Sequence, residues 1–297
     1  MDDTLHWLPA TELVRLIRTK RLSPVELVAH TIERVEALNP GLNAICTPTF
    51  ERALGDARAA EAAVMRGDPL PPLHGVPTTV KDLALTRGVR TMSGSRLYED
   101  RIPALDHVHV ERMREAGLIS LGKTTVPEFG WKGNGDSPVT GITHNPWKHG
   151  YNAGGSSAGA AVCAAAGLGP VHQGSDGAGS VRMPAAFCGV YGLKPSHGRI
   201  PYWPMPNNGS ISHVGPITRT VGDAALMLQA LAGPDDRDLT SLGVPPDDYP
   251  GRLDEGIEGL RVAFSPDLGY LPVDREVASL VREAAVAFTD LGCHVEE

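Results

Sequence analysis

Apolar residues in the first part of the chain follow a helical rhythm. Val25, Val28, Ile32, Val35 and Leu38 fall on one face of a 3.6-residue repeat. Ser23-Pro24-Val25-Glu26 in front of them has the form of a capping box, with Pro24 at the first helical position. The Asn39-Pro40-Gly41 run is expected to stop that helix. An alanine-rich helix is predicted over about residues 50–66, broken by GDPLPPLHG. The pattern then switches to short strands alternating with helices. GVPTTVKDLAL alternates around Val76, Thr78 and Val80, and VHVERMREAG reads as a helix running into an apolar strand, LISLG. AGAAVCAAAG is a small-residue helix and GDAALMLQALAG (222–233) an amphipathic one. GLRVAFSP, REVASLVREAAVAFTDLG and CHVEE read as strand, helix and strand. This order predicts an α/β chain, a single domain whose mixed β-sheet core is surrounded by α-helices. The Pro-rich, acidic stretch from Gly233 to Leu260 is expected to be a surface excursion. A last strand that begins only at Cys293 is what a fold lacking its C-terminal part would show.

Composition narrows the function. Of 297 residues 41% are hydrophobic, enough for a sizeable core, and the formal net charge of -8 is spread without a basic stripe, which argues against a nucleic-acid binder. The opening MDDTLHWLPATE has neither a basic start nor an apolar run, so it is not read as a secretory signal. The longest uncharged stretch is Gly, Ala and Ser, which suits tight packing and not a membrane span. Cys46, Cys163, Cys188 and Cys293 lie far apart and read as reduced thiols, consistent with a cytoplasmic location. No metal is expected, because the eleven histidines form no H-E-x-x-H and no Cys/His cluster. His107 and His109 are expected to point to different sides of a helix entry as surface or capping residues.

The segment GSDGAGSVRMP (174–184) sets three glycines and two serines around one aspartate. A flexible linker would not run straight into the apolar FCGVYGLKP, and a phosphate cradle would carry a lysine and no aspartate. GSSAG (155–159) matches the G-x-S-x-G elbow with Ser157 at its centre, but the elbow needs a strand immediately before it and TGITHNPWKHGYNAG is turn-like. SLGK (120–123) matches S-x-x-K, yet on a strand Ser120 and Lys123 point to opposite faces. There remains Ser180 at the end of a glycine-rich turn, in need of a base. Among the six lysines Lys81 stands out, because it continues an apolar strand face. Lost hydration there would lower its pKa and yield a neutral amine fit for general-base work. A solvated surface charge is the alternative for any lysine, and spacing does not decide between them.

Several stretches together resemble the amidase signature enzymes: LHGVPTTVKD (73–82), GLISLGKTTVPEFG (117–130), GITHNPWKHGYNAGGSSAG (141–159), GSDGAGSVRMPAAFCGVYGLKPSHGRI (174–200) and HVGPITRTVGDAALMLQALAGPDDRD (213–238). The resemblance extends over nearly the whole chain. It implies one amidase signature domain across 1–297, with a helical segment to about residue 70, a core over about 71–240 and the start of a C-terminal portion at 241–297. It also implies a Ser–Ser–Lys unit in which Ser180 is the nucleophile, Ser156 the bridging serine next to a cis peptide, and Lys81 the base. Gly177, Ala178, Gly179 and Ser180 would turn their N–H groups into an oxyanion hole, while Ser157 and Asp176 orient Ser156 and the loop and Arg182 packs beneath the nucleophile. Gly130 and Trp131 match a segment that lines the family's acyl pocket. The implied reaction is hydrolysis of a small aryl, alkyl or carbamate-like amide through a seryl acyl-enzyme, with a possible esterase side activity and no cofactor. The alternatives are the glutaminase subunit of a tRNA-dependent amidotransferase or a truncated, non-catalytic member of the fold. The partners implied are a small-molecule amide and, at most, a second copy in a homodimer. Two positions depart from the family pattern: Ala178 stands in the oxyanion turn where glycine is usual, and Ala158 follows the serine pair where glycine or serine is common.

Overall fold

The computed structural model describes residues 4–206 and 208–297, in two compact units, Met1–Pro250 and Gly251–Glu297. The first unit opens with α1 (Ala10–Arg18) and α2 (Pro24–Leu42), then β1 (Ile45–Pro48) and α3 (Phe50–Arg66). The capping box forms as expected on its N-terminal side: Ser23 Oγ accepts the N–H groups of Val25 and Glu26 at 3.0 and 3.3 Å. The expected stop at residues 39–41 is not where α2 ends. The helix runs through Pro40 to Leu42 and closes at Asn43, whose φ of 52° is left-handed. The Asn39 side chain explains the change, because its Oδ1 accepts from Ala44 and Ile45 N–H at 2.8 Å and so secures the turn beyond the helix. That turn delivers β1, a strand the apolar rhythm alone did not reveal.

Next come β2 (Pro77–Lys81), α4 (Val108–Glu115) and β3 (Ile119–Thr124), followed by a short hairpin of β4 (Asp136–Ser137) and β5 (Gly141–Ile142). Helix α5 (Ala158–Ala165), β6 (Val171–Asp176), α6 (Arg182–Cys188), β7 (Tyr191–Gly192), β8 (His213–Thr218) and α7 (Val221–Leu231) complete the unit. Its six-stranded sheet has the order β1-β3-β2-β6-β8-β7. The central neighbours β3, β2 and β6 are parallel, whereas β1 and the β8–β7 side are antiparallel. The mixed sheet is thus the one the alternation of elements led us to expect.

Strand side chains divide between two apolar clusters. Val80, Val171 and Val214 pack with α1, α4 and α7 residues such as Leu13, Met113 and Leu231. Ile119, Leu121 and Ile217 pack with α2, α3 and α5 residues such as Val28, Ala57 and Val162. Each large aliphatic side chain so buried contributes roughly 1.5–3 kcal/mol. Helix α5 is buried along almost its whole length, which its Gly and Ala composition permits. At Gly159 an added Cβ would lie 2.1 Å from the Ala44 carbonyl oxygen and 2.6 Å from Thr125 N. The small side chains of α5 therefore let its backbone press against β1 and the end of β3.

The Gly233–Leu260 stretch has no regular element, and Asp238 within it is buried, accepting the Tyr202 N–H at 2.8 Å. In the second unit β9 (Arg261–Ala263) and β10 (His294–Glu296) pair in parallel, joined through α8 (Arg275–Asp290). Among the described residues no helix is long and apolar enough to cross a membrane.

Two substitutions test this account by urea or thermal unfolding. Gly159→Ala forces backbone apart and is expected to destabilise the protein by at least about 2 kcal/mol. Ser23→Ala removes the α2 cap together with the Ser23 Oγ bond to the Glu61 carboxylate and is expected to cost about 1–2 kcal/mol. A Gly159→Ala protein as stable as the parent would contradict the packing described.

Candidate active site

Parallel strands β2 and β6 lie side by side, so their carboxyl ends open on the same edge of the sheet, a usual position for sites in α/β folds. Lys81 is the last residue of β2, and Ser175 and Asp176 are the last two of β6. Lys81 is fully buried. Its Nζ lies 2.8 Å from Ser156 Oγ and 2.9 Å from the Ser175 carbonyl oxygen. Burial pushes its pKa down to about 7, opposed in part by the negative charge of Asp176. Of the two sequence alternatives for this lysine, the structure shows the desolvated one.

Ser156 follows a cis peptide bond from Gly155 and stands two residues before α5, whose N-cap is Ser157. The neighbouring Ser157 Oγ donates to the Ser175 carbonyl oxygen at 3.3 Å, and the Ser157 N–H donates to the Ser180 carbonyl at 3.1 Å. Ser157 therefore ties α5 to both ends of the glycine-rich turn. No strand immediately precedes it, as the elbow motif would require.

Asp176 organises the turn itself. Its carboxylate accepts N–H groups from Gly179 at 2.7 Å and Val181 at 3.1 Å, and pairs with Arg182 through Nε and Nη2, each at 3.0 Å. Burial would raise the Asp176 pKa, but the Arg182 guanidinium and the backbone donors outweigh it and hold the carboxyl well below its usual range. Gly179 adopts a φ of 104°, which suits glycine, and this conformation aims its N–H at the carboxylate. One expectation is narrowed here. The Gly179 N–H serves Asp176, whereas those of Gly177, Ala178 and Ser180 have no acceptor among the described residues. Arg182 reaches the turn through its ion pair with Asp176, with its side chain about half exposed.

Ser156, Gly177, Ala178 and Ser180 all line a cavity of about 510 Å³. Gly130 and Trp131 line it too, the tryptophan at 89% exposure. An added Cβ at Gly130 would lie 3.2 Å from Ser156 Oγ, so a side chain here would crowd the serine. Ser180 Oγ forms no hydrogen bond with Ser156 or any other described residue. Apolar lining comes from Leu83, Leu85, Phe129 and Met205.

Other residues at the site escaped the sequence reading. His107 and His109 are both buried with their rings stacked at 5.2 Å, so the expectation that they diverge as surface residues is corrected. Burial lowers the pKa of both. The Tyr202 ring meets each edge-on, and burial pushes the pKa of its hydroxyl up to about 12. Lys123 is a second fully buried lysine, with a pKa lowered to about 8 chiefly by burial. Its Nζ holds Ala84 O, Thr86 Oγ1 and Thr91 Oγ1, clamping the segment that carries Leu83 and Leu85 into the cavity wall. It makes no bond to Ser120, in keeping with the opposite faces expected on β3. The signal was present in the apolar strand around Lys123, but only the burial of both strand faces shows that the charge stays inside.

The family profile described as Amidase matches residues 26–297. The chain belongs to the amidase signature family. It is 46% identical over its whole length to an acylamidase of Rhodococcus erythropolis, covering 62% of that protein. It is 41% identical to a glutamyl-tRNA(Gln) amidotransferase subunit of Moorella thermoacetica, over 99% of this chain and 60% of that one. Among solved structures, a bacterial aryl acylamidase of the amidase signature family superposes with a TM-score of 0.95 at 40% identity, over 99% of this chain and 61% of that one. The 6-aminohexanoate cyclic dimer hydrolase superposes with a TM-score of 0.90 at 34% identity, over 98% and 61% respectively. The chain thus spans about three fifths of the length of these relatives.

Asp176→Ala is expected to leave the Val181 N–H without a partner inside the protein and to destabilise it by about 2 kcal/mol at neutral pH in urea unfolding. The ionised Asp176 is favoured in the folded state, so its contribution is present above the ordinary carboxylate pKa and lost as pH falls through its lowered value. The gap between parent and variant should close on acidification. A gap that widened would contradict the assigned role.

Proposed function

We propose that the protein is an amide hydrolase working through a seryl acyl-enzyme. The observation that carries this reading is the buried Lys81 amine 2.8 Å from the Oγ of Ser156, a residue that lines the same cavity as Ser180. Neutral Lys81 takes a proton from Ser156, Ser156 takes one from Ser180, and Ser180 Oγ attacks the amide carbon. The unpaired N–H groups of Gly177, Ala178 and Ser180 stabilise the oxyanion. The proton returns along the same path to the departing nitrogen, which cannot leave as an anion, and water then releases the acid. The Ser175 carbonyl holds the second side of the Lys81 amine, leaving its lone pair for Ser156. Gly130 and Trp131 contribute to the acyl-binding wall.

Leu83, Leu85, Phe129 and Met205 favour an apolar acyl group, and similarity to the Rhodococcus acylamidase and to the aryl acylamidase structure supports a small aryl or alkyl amide. Glutamine hydrolysis for an amidotransferase is the second reading, supported by the likeness to the Moorella amidotransferase chain.

The test is hydrolysis of short-chain acyl p-nitroanilides and of glutamine by the chain and its variants. Ser180→Ala is expected to abolish turnover, and Lys81→Met to reduce kcat by at least about 100-fold with the fold intact. Because Lys81 must be neutral, kcat/KM should rise with pH through about 7 and level off above it. Full activity in Ser180→Ala, or a rate falling over that range, would contradict the proposal. Ammonia from glutamine without anilide cleavage would select the second reading.

A further inference from the structure

Among the described residues Arg101 is the one arginine lining the active-site cavity, and no carboxylate forms an ion pair with it. The guanidinium is fixed on several sides. Its Nε donates to the Thr91 carbonyl at 3.0 Å, its Nη2 to Ser93 Oγ at 2.8 Å, and its central carbon lies 4.1 Å from the Tyr98 ring centroid. The backbone is equally held, with its N–H bonded to Tyr98 O at 3.0 Å and its carbonyl accepting from Thr91 N at 2.9 Å. These bonds use two of the five N–H donors of a guanidinium, and the others find no acceptor among the described residues.

Nearby carboxylates are otherwise engaged. Asp82 is buried, takes the Met92 N–H, and is shared between the fields of Lys123 and Arg101, so two cations face one acid. Asp106 pairs with Arg114 at 2.8 Å and Glu128 accepts from Ser95 Oγ at 2.7 Å. The adjacent Glu99 and Asp100 are exposed, and among the described residues no carboxylate comes within ion-pair distance of Arg101. A rigid, partly buried guanidinium with spare donors is preorganised for a planar anion, which it binds through two parallel hydrogen bonds.

We propose that Arg101 is a specificity-determining residue that binds a carboxylate at the far end of the acyl chain, so that the preferred substrates are amides of dicarboxylic acids with an apolar middle. This rests on the reading of the site as an amide hydrolase. Leu83, Phe129 and Met205 would cover the methylene chain while Ser180 meets the amide and Arg101 the acid.

The experiment compares the monoamide of glutaric acid with pentanamide, two chains of equal length that differ by a carboxylate in place of a methyl. The parent is expected to favour the carboxylate by at least about tenfold in kcat/KM at low salt. Arg101→Gln should erase the preference through KM while hydrolysing pentanamide as the parent does, and Arg101→Lys should restore part of it. Equal kcat/KM for the two amides in the parent, or a preference that survives Arg101→Gln, overturns the proposal. If Arg101→Gln fails to fold, Arg101→Lys carries the test, since a point charge without the planar fork should lower the preference several-fold. Calorimetric binding of glutarate separates the two claims. Binding that depends on Arg101 without hydrolysis of either amide keeps the anion site and sinks the hydrolase reading, whereas hydrolysis without glutarate binding does the reverse.

Discussion

The site depends on a lysine amine kept out of water. Lys81 Nζ is enclosed at the carboxyl end of β2 with Ser156 Oγ on one side and the Ser175 carbonyl on the other. An ammonium there lacks most of its hydration, and among the described residues no carboxylate is in contact with it, so the neutral form gains near physiological pH. Every neighbouring feature serves this enclosure. The parallel pairing of β2 with β6 brings Ser175 beside Lys81, and the close seating of α5, allowed by Gly159, brings up Ser156. Ser157 ties that helix start to Ser175 and to Ser180.

Asp176 does for the nucleophile's turn what the sheet does for the base. One carboxylate gathers the N–H groups of Gly179 and Val181 and the Arg182 guanidinium, and so fixes the backbone on either side of Ser180. Committing Gly179 inward leaves the N–H groups of Gly177, Ala178 and Ser180, which line the cavity, without an acceptor among the described residues. Ala178, where the family favours glycine, is exposed in this turn, and its methyl occupies no space the turn needs. The aspartate that counts against a phosphate cradle is thus the residue that shapes the turn.

How much of this was legible follows from the kind of signal involved. Helices α2, α3, α4, α5 and α7 and strands β2 and β3 show in apolar spacing and cap residues, which are local. Strand β6 was hidden because its glycine, serine and aspartate are poor strand formers held in place by neighbours on both sides. Pro40 misled about the end of α2, since its missing N–H costs little where Asn39 already secures the following turn. Lys81, Ser156 and Ser180 could be singled out, but their meeting is a matter of topology: it takes β2, the start of α5 and the end of β6 at one sheet edge. His107, His109, Tyr202 and Arg101 carried no local signature. Their burial, or for Arg101 the lack of an ion pair among the described residues, arises only when segments distant in sequence close around the cavity.

The central claim is that Ser180 is activated by neutral Lys81. Labelling with a fluorophosphonate probe across pH, followed by peptide mass mapping, tests it most directly. The account predicts one adduct, on Ser180, formed at a rate that rises through about pH 7 and is lost in Lys81→Met. An adduct on Ser157, or labelling of Ser180 that is indifferent to Lys81, would contradict it.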